Sequence, residues 1–596
     1  MSERISARVN SLREWMRRQT PQIDAYVIPT ADAHGSEYIA AHWQSREWLT
    51  GFTGSAGLAV VTLTEAALWT DSRYWLQAEE ELRDTPFRLM RDGDAGVPSP
   101  VEWLCEQVSE RPYRVAAPAD VLSQAEAEEL RQSGLELCLT LPDAFDAIWE
   151  DRPALPAETI DIQLLQWAGV SVKDKLAQAA TLLREKVGTE KDYLIHDLSD
   201  IAWLLNLRGR DIPYNPVFVA FLLFLNRDNR FVLFTHGETL TEVAREQLQE
   251  AGVEVKPYVT ASQNVHVATT VFSPSATFAF DLTRAAGFVA SPFERLRAVK
   301  NDAERDGFRE AMLRDGVALV RFLREWENRR AAGEALSEMD ADRILTACRA
   351  AQPGFEQLSF PTIAGYGPHG AIVHYEAESA TAATVEARSL LLLDSGAQFD
   401  CGTTDITRTL SCGELTREER EVYTLVLKGH LALAALSFPE GTCGLQLDLA
   451  ARSPLWKAGL DFGHGTGHGV GSHLCVHEGP HQIRKNPRAC TQVPFVEGMT
   501  ITDEPGVYVA GKFGVRIENI LLTVFDRETE FGRFLRFETL TLCPYDLSAL
   551  APDLLTVEEV AQLNAYHARV RSLLLPRLTD EADRDWLVRA TQPLVP

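Results

Sequence analysis

At 596 residues the chain exceeds what one hydrophobic core sustains and is expected to divide into three or four domains. Hydrophobic residues at 45% and charged residues at 24% are the balance of a globular protein. Acids outnumber bases 85 to 58, and the net charge of −27 argues against non-specific binding to nucleic acid or anionic membrane, which needs basic patches.

Taken in order, the chain opens on a charged amphipathic helix through Leu12, Trp15 and Met16, with no apolar core of a targeting signal. A strand follows at residues 25–29, then Trp48-Leu49-Thr50-Gly51-Phe52-Thr53-Gly54-Ser55-Ala56-Gly57 and the strand-turn signal at residues 67–74. Strands alternate with helical stretches such as residues 125–131, so residues 1–156 are expected to form an α/β domain. Gly54 and Gly57 precede no Gly-Lys-Ser/Thr and read as turn glycines, not a phosphate loop. Residues 157–299 echo this pattern: Trp203-Leu204-Leu205-Asn206-Leu207-Arg208-Gly209 parallels residues 48–54, which suggests a duplicated α/β domain. The longest apolar run, residues 217–225, is far too short to span a bilayer. Nine cysteines without paired spacing read as reduced thiols in a cytoplasmic protein.

Asn301 and Glu304 form a helix-capping pair at the start of a third domain, residues 300–546, with Phe308, Met312, Leu319, Leu323 and Trp326 on one helical face. Ser337 with Asp340, and Thr416 with Glu419, mark two further helix starts. Residues 547–596 read as a helical extension, with Thr556 and Glu559 capping and Val560, Leu563, Tyr566 and Val570 on one face. So short a helical stretch buries little alone and is expected to pack on the catalytic domain or on a partner subunit.

Within the third domain stand five residues of metal-ligand type: Asp394, Asp405, His468, Glu504 and Glu518. Asp394 ends a short apolar run that reads as a buried strand, and Asp405 opens a second with β-branched alternation. A turn containing Gly402 lets the two pair, so both carboxylates can reach one point. His468 lies in the glycine-dense Gly463-His464-Gly465-Thr466-Gly467-His468-Gly469, Glu504 in Thr502-Asp503-Glu504-Pro505-Gly506, and Glu518 in the strand-like Val515-Arg516-Ile517-Glu518-Asn519. Any one of these acids taken alone reads as a solvated charge. Together they exceed the needs of one ion, and two divalent ions roughly 3.5–4 Å apart would use them all. The oxygen-rich set suits Mn²⁺ better than a structural zinc. Arg516, two residues before Glu518, is expected on the same strand face, orienting a ligand carboxylate.

Asp394-Ser395-Gly396, Thr404-Asp405-Ile406-Thr407-Arg408-Thr409, His464-Gly465-Thr466-Gly467-His468-Gly469-Val470-Gly471, Val476-His477-Glu478-Gly479-Pro480, Asp503-Glu504-Pro505-Gly506 and Arg516-Ile517-Glu518-Asn519 resemble the motifs of Xaa-Pro aminopeptidase (aminopeptidase P), in its long three-domain form. The resemblance covers essentially the whole chain. It implies two related creatinase-like N-terminal α/β domains, then an α+β pita-bread metallopeptidase domain with an internal pseudo-twofold, then a C-terminal extension. It implies two divalent metal ions per chain, Mn²⁺ first, with Zn²⁺ or Co²⁺ as alternatives, and a homodimer acting on peptides with proline in second position. His374, His464 and His477 become substrate-facing groups, and Tyr508 a support behind the metals. In the reaction so implied, a hydroxide bridging the metals attacks the carbonyl of the N-terminal residue. Glu504 accepts the water's proton, while His374 and His477 stabilise the intermediate and protonate the prolyl nitrogen. The non-catalytic domains of the long form border the cleft and leave room for longer peptides.

Several residues carry blander readings. His477-Glu478-Gly479-Pro480-His481 matches H-E-x-x-H, but Gly479 and Pro480 forbid the helix that motif needs. His473 and Cys475 depart from the family pattern and leave the shape of the pocket open, and Asp503 reads as solvated or structural. The rivals are a prolidase restricted to X-Pro dipeptides, a metal-free creatinase-type enzyme, and an inactive binding module of the same fold.

Overall fold

The computed structural model describes residues 2–108, 113–140 and 142–595. They form two compact units: one takes the chain up to Leu165 with Val170–Phe293, the other Gln166–Gly169 with the chain from Glu294 onward.

The first unit holds two six-stranded sheets. One contains β1 (Ala25–Pro29), β2 (Leu58–Thr62), β3 (Ala66–Thr70), β4 (Arg88–Arg91), β5 (Arg114–Pro118) and β6 (Glu136–Thr140), in the order β4-β3-β2-β1-β5-β6. The other contains β7 (Asp192–Ile195), β8 (Ala220–Leu225), β9 (Arg230–Thr235), β10 (Glu254–Pro257), β11 (Thr270–Phe272) and β12 (Gly287–Phe288), in the order β10-β9-β8-β7-β11-β12. Strand for strand, both the order and the sense of pairing coincide. The weak sequence repeat is therefore a duplicated fold.

Its clearest mark lies where α2 (Ser45–Thr50) and α3 (Leu198–Leu205) end. Each stops on a left-handed residue, Gly51 at φ 75° and Asn206 at φ 47°, the two residue types that tolerate this geometry. Gly54 is a close-approach glycine, not a turn glycine: a Cβ there would press on the Tyr74 ring at 2.7 Å. α1 (Ser2–Arg18) buries Ile5, Val9, Leu12 and Met16, a stripe at helical spacing, in the core with Tyr26 and Phe52.

The second unit begins with α4 (Asp302–Ala331). The Asn301 side chain accepts from Glu304 N at 3.0 Å and the Glu304 carboxylate accepts from Asn301 N at 2.9 Å, the reciprocal cap that the sequence announces. α4 and α5 (Glu338–Ala350) accompany the sheet of β13 (Ile363–Tyr366), β14 (Leu390–Ser395) and β15 (Ile406–Ser411). α6 (Arg417–Ala434) and α7 (Gly444–Lys457) precede three further strands: β16 (Gly467–Gly469), β17 (Glu478–Ile483) and β18 (Thr500–Asp503). A tight hairpin of β19 (Gly506–Val509) and β20 (Phe513–Arg516) comes next, then β21 (Asn519–Thr529) and β22 (Gly532–Thr539). β18, β21, β22 and Ser437–Pro439 form a four-stranded sheet. Helix pair and sheet thus occur twice, in the pita-bread arrangement.

The extension folds as α8 (Val557–Leu574) and α9 (Glu581–Ala590). Val570, Leu574, Trp586 and Leu587 pack on Val317 and Val320 of α4, so the extension is covered by the catalytic unit's own helix. Among the described residues, no helix is long and apolar enough to cross a membrane.

Candidate metal centre

The five predicted ligands converge from five chain breaks and strands. β14 and β15 pair antiparallel with Asp394 opposite Thr407. Asp405 lies one residue before β15, and Gly402 belongs to a short paired strand extending the hairpin, not to a bare turn. Glu518 occupies the break between β20 and β21, its N–H donating to the Thr407 carbonyl at 3.1 Å. Arg516 ends the preceding strand; its guanidinium grips Asp394, and its Nε also donates at 3.3 Å to Thr407 Oγ1, the hydroxyl that holds Glu518. Glu504 sits between β18 and β19, its N–H on the Thr466 carbonyl at 2.9 Å. His468 is the middle residue of β16, its N–H on Thr502 Oγ1 at 3.0 Å.

Asp405, His468 and Glu518 each offer one ligand atom, and these atoms lie within 4.8 Å of one another. His468 Nε2 stands 3.5 Å from both Asp405 Oδ2 and Glu504 Oε1, which brings the fourth residue alongside. Asp394 Oδ2 receives Arg516 Nη2 at 2.7 Å and Nε at 3.0 Å, while Oδ1 is buried without a hydrogen-bond partner. Two hydroxyls that the sequence reading passed over hold Glu518 and Glu504. Thr407 Oγ1 donates to Glu518 Oε2 at 2.8 Å and Thr502 Oγ1 to Glu504 Oε1 at 3.1 Å. Each stands two residues from an acid of the cluster (Thr407 from Asp405, Thr502 from Glu504), a spacing visible in the sequence.

The electrostatics of this cluster are unbalanced. Burial, then the charge of neighbouring carboxylates, holds Asp405 and Glu518 well above the usual carboxylate range. Burial lifts Glu504 to about 7 despite Arg516. Three buried carboxylates and the half-buried Glu504 around one imidazole, with an orphaned oxygen on Asp394, call for more positive charge than Arg516 supplies. The donor set, oxygen-rich with one nitrogen, fits a pair of divalent cations.

His477 is half-buried with its ring 4.4 Å from the His468 ring. His374 is half-buried on the segment after β13, and Arg516 Nη2 donates to the carbonyl of its neighbour Val373 at 3.3 Å. His464 is buried, its Nδ1 4.0 Å from Glu504 Oε2. Its Nδ1 lies 2.7 Å from the Gly465 carbonyl and its Nε2 2.7 Å from the Tyr508 hydroxyl, which itself receives Arg516 Nη1 at 2.7 Å. Both ring nitrogens are thus taken up within the protein, and burial with Arg516 nearby pushes the imidazole down to about 3.

His481 lies in a strand, its Nε2 2.7 Å from the Thr500 carbonyl, so the H-E-x-x-H match has no helix under it. Asp503 is fully buried beside His430 Nδ1, 3.2 Å from Oδ2, and is structural, not solvated. His473 is buried 3.3 Å from the Glu356 carboxylate.

With this geometry in hand, the comparisons with known proteins can be read. The model of metallopeptidase family M24 matches residues 306–524, two creatinase/prolidase N-terminal domain models match 8–152 and 151–304, and the C-terminal region of peptidase M24 matches 533–594. Aminopeptidase P1 of Lotus japonicus is 36% identical, covering 98% of this chain and 99% of its own. Aminopeptidase P2 of Arabidopsis thaliana is 39% identical over 99% of this chain and 89% of its own. The crystal structure of X-prolyl aminopeptidase from Caenorhabditis elegans, a cytosolic enzyme with a di-nuclear active site, superposes with a TM-score of 0.92 at 32% identity, covering 99% and 100% of the two chains.

Proposed function

The chain belongs to the aminopeptidase P family of M24 metallopeptidases, and on that premise we propose that it removes the N-terminal residue from peptides with proline in second position. Asp394, Asp405, His468, Glu504 and Glu518 would hold two divalent cations, Mn²⁺ in our reading. The observation that carries this is the cluster of three buried carboxylates and the half-buried Glu504 around one imidazole, with Asp394 Oδ1 left without a partner. Cations held there supply Lewis-acid polarisation of the scissile carbonyl and a nucleophile at neutral pH.

The protein's own groups do the rest. Glu504, 3.5 Å from His468 Nε2, would accept a proton from the attacking water. His477, against the ligand ring of His468, and His374 face the reacting peptide, stabilise its developing charge and return a proton to the prolyl nitrogen. An X-Pro bond is a tertiary amide without an N–H, so its site needs an apolar slot and no acceptor for a donor. His464, with Phe462 at 4.8 Å and Tyr508 at 5.4 Å between ring centres, would wall that slot. A cytosolic homodimer is the working assembly we propose, after the relative described as cytosolic.

The test is a matched series on Mn²⁺-loaded enzyme: Arg-Pro-Pro, Ala-Pro, Ala-Ala-Pro and N-acetylated Arg-Pro-Pro. Arginine release from the first, little from the third and fourth, and two metal ions per chain by elemental analysis are the expected results. Cleavage confined to Ala-Pro would move the chain to the prolidases. Retention of both ions by His468→Ala would remove His468 from the ligand set.

A further inference from the structure

Between β13 and β14 the chain runs from Tyr366 to Leu390 with no strand of its own, and His374 lies on this stretch. What fixes it is a carboxylate from another element. Glu338, the first residue of α5, is fully buried. Its Oε1 accepts from Tyr366 N at 2.7 Å and stands 2.9 Å from His369 Nδ1. Its Oε2 accepts from the Tyr375 hydroxyl at 3.0 Å and from Ala383 N at 2.7 Å. Glu338 N in turn donates to the Ala383 carbonyl at 3.1 Å. The Tyr375 and His369 rings lie against each other, 4.5 Å between centres.

A fully buried carboxylate is costly unless its lone pairs are filled. Here the four groups that face it all come from one irregular stretch: its start, its turn, its far end, and the residue directly after His374. On the other side of His374, the Val373 carbonyl is held by Arg516, which also grips the ligand Asp394. His374 is therefore clamped between two anchors, one tied to the metal cluster and one to Glu338.

We infer that Glu338 is a positioning residue for His374: through Tyr375 and the ends of the 366–383 segment it holds that imidazole in register with the reacting peptide bond. This rests on the substrate-facing role given to His374 above. The experiment is a double-mutant cycle on Mn²⁺-loaded enzyme with Arg-Pro-Pro, comparing Glu338→Gln, Tyr375→Phe, His374→Ala and each of the first two combined with the third. Glu338→Gln is expected to lower kcat on the order of 10- to 100-fold with two metal ions retained and KM little changed. Tyr375→Phe, which removes one donor, is expected to lower it less. In the His374→Ala background neither substitution should cost anything further, because both act through a group already removed.

Additive losses in that background, loss of metal from Glu338→Gln, or unchanged kcat in both single variants would overturn the inference. Should Glu338→Gln fail to fold, the Tyr375→Phe cycle decides alone. Full turnover by His374→Ala would overturn the role of His374 itself. It is read on that single variant and so is told apart from a failure confined to Glu338.

Discussion

Asp405, Glu504 and Glu518 share one difficulty: as anions they are crowded together, the first and last fully buried, and as neutral acids they hold a cation poorly. Without metal, burial and mutual repulsion keep Glu504 up at about 7 and the other two well above the usual range, so the metal-free cluster carries protons at neutral pH. Cations must displace those protons on entry. Titrating metal-free protein with Mn²⁺ at pH 6.5 is therefore expected to release protons, measured by calorimetry in buffers of different ionisation enthalpy. Affinity should weaken as pH falls through the region where Glu504 protonates. Binding with no proton release at any pH between 6 and 7.5 would show the carboxylates already ionised and the charge argument mistaken.

At the scale of elements, the site depends on backbones that approach more closely than side chains allow. Gly467 precedes His468 in β16, and a Cβ there would overlap the Thr502 carbonyl oxygen, two residues before Glu504. Gly467→Ala must push β16 from β18 and separate two ligands, so it is expected to lose metal occupancy and most activity while the far-ultraviolet circular dichroism of the chain is kept. Retention of both ions with normal turnover would show that β16 can shift without penalty. The same distinction between near and far contacts explains what could be read in the sequence. Capping pairs at Asn301/Glu304, Ser337/Asp340, Thr416/Glu419 and Thr556/Glu559 were all legible, because each is a local i, i+3 chemistry that α4, α5, α6 and α8 reproduce. The strands bearing Asp394 and following Asp405 were legible from their apolar and β-branched patterns. The partners of Glu338 were not: they lie 28 to 45 residues further along the chain.

Over the whole molecule, two sets of buried groups pull stability in opposite directions with pH, and metal decides which prevails. His196 in the first unit, and His481 and His567 in the second, are held neutral by burial and fall to about 4. His34 is also lowered by burial. His567 Nε2 even accepts the Tyr545 N–H at 3.0 Å, a bond that a proton would abolish. For such groups the unfolded chain binds more protons between about pH 4 and 6.5, so stability rises with pH and is lost as pH falls through that window. The raised carboxylates do the reverse in metal-free protein: above their ordinary range the folded form binds more protons than the unfolded one, so acid stabilises it. With Mn²⁺ bound they are held as anions, that opposing contribution vanishes, and acid also expels the ions, each worth about 2.7 kcal/mol at a hundredfold excess over Kd. Melting temperature between pH 7.5 and 5 is accordingly expected to fall steeply in Mn²⁺ and only shallowly in EDTA, the two curves converging at the acid end. Parallel curves, or a steeper fall in EDTA, would mean that the acidic cluster does not couple metal to protons.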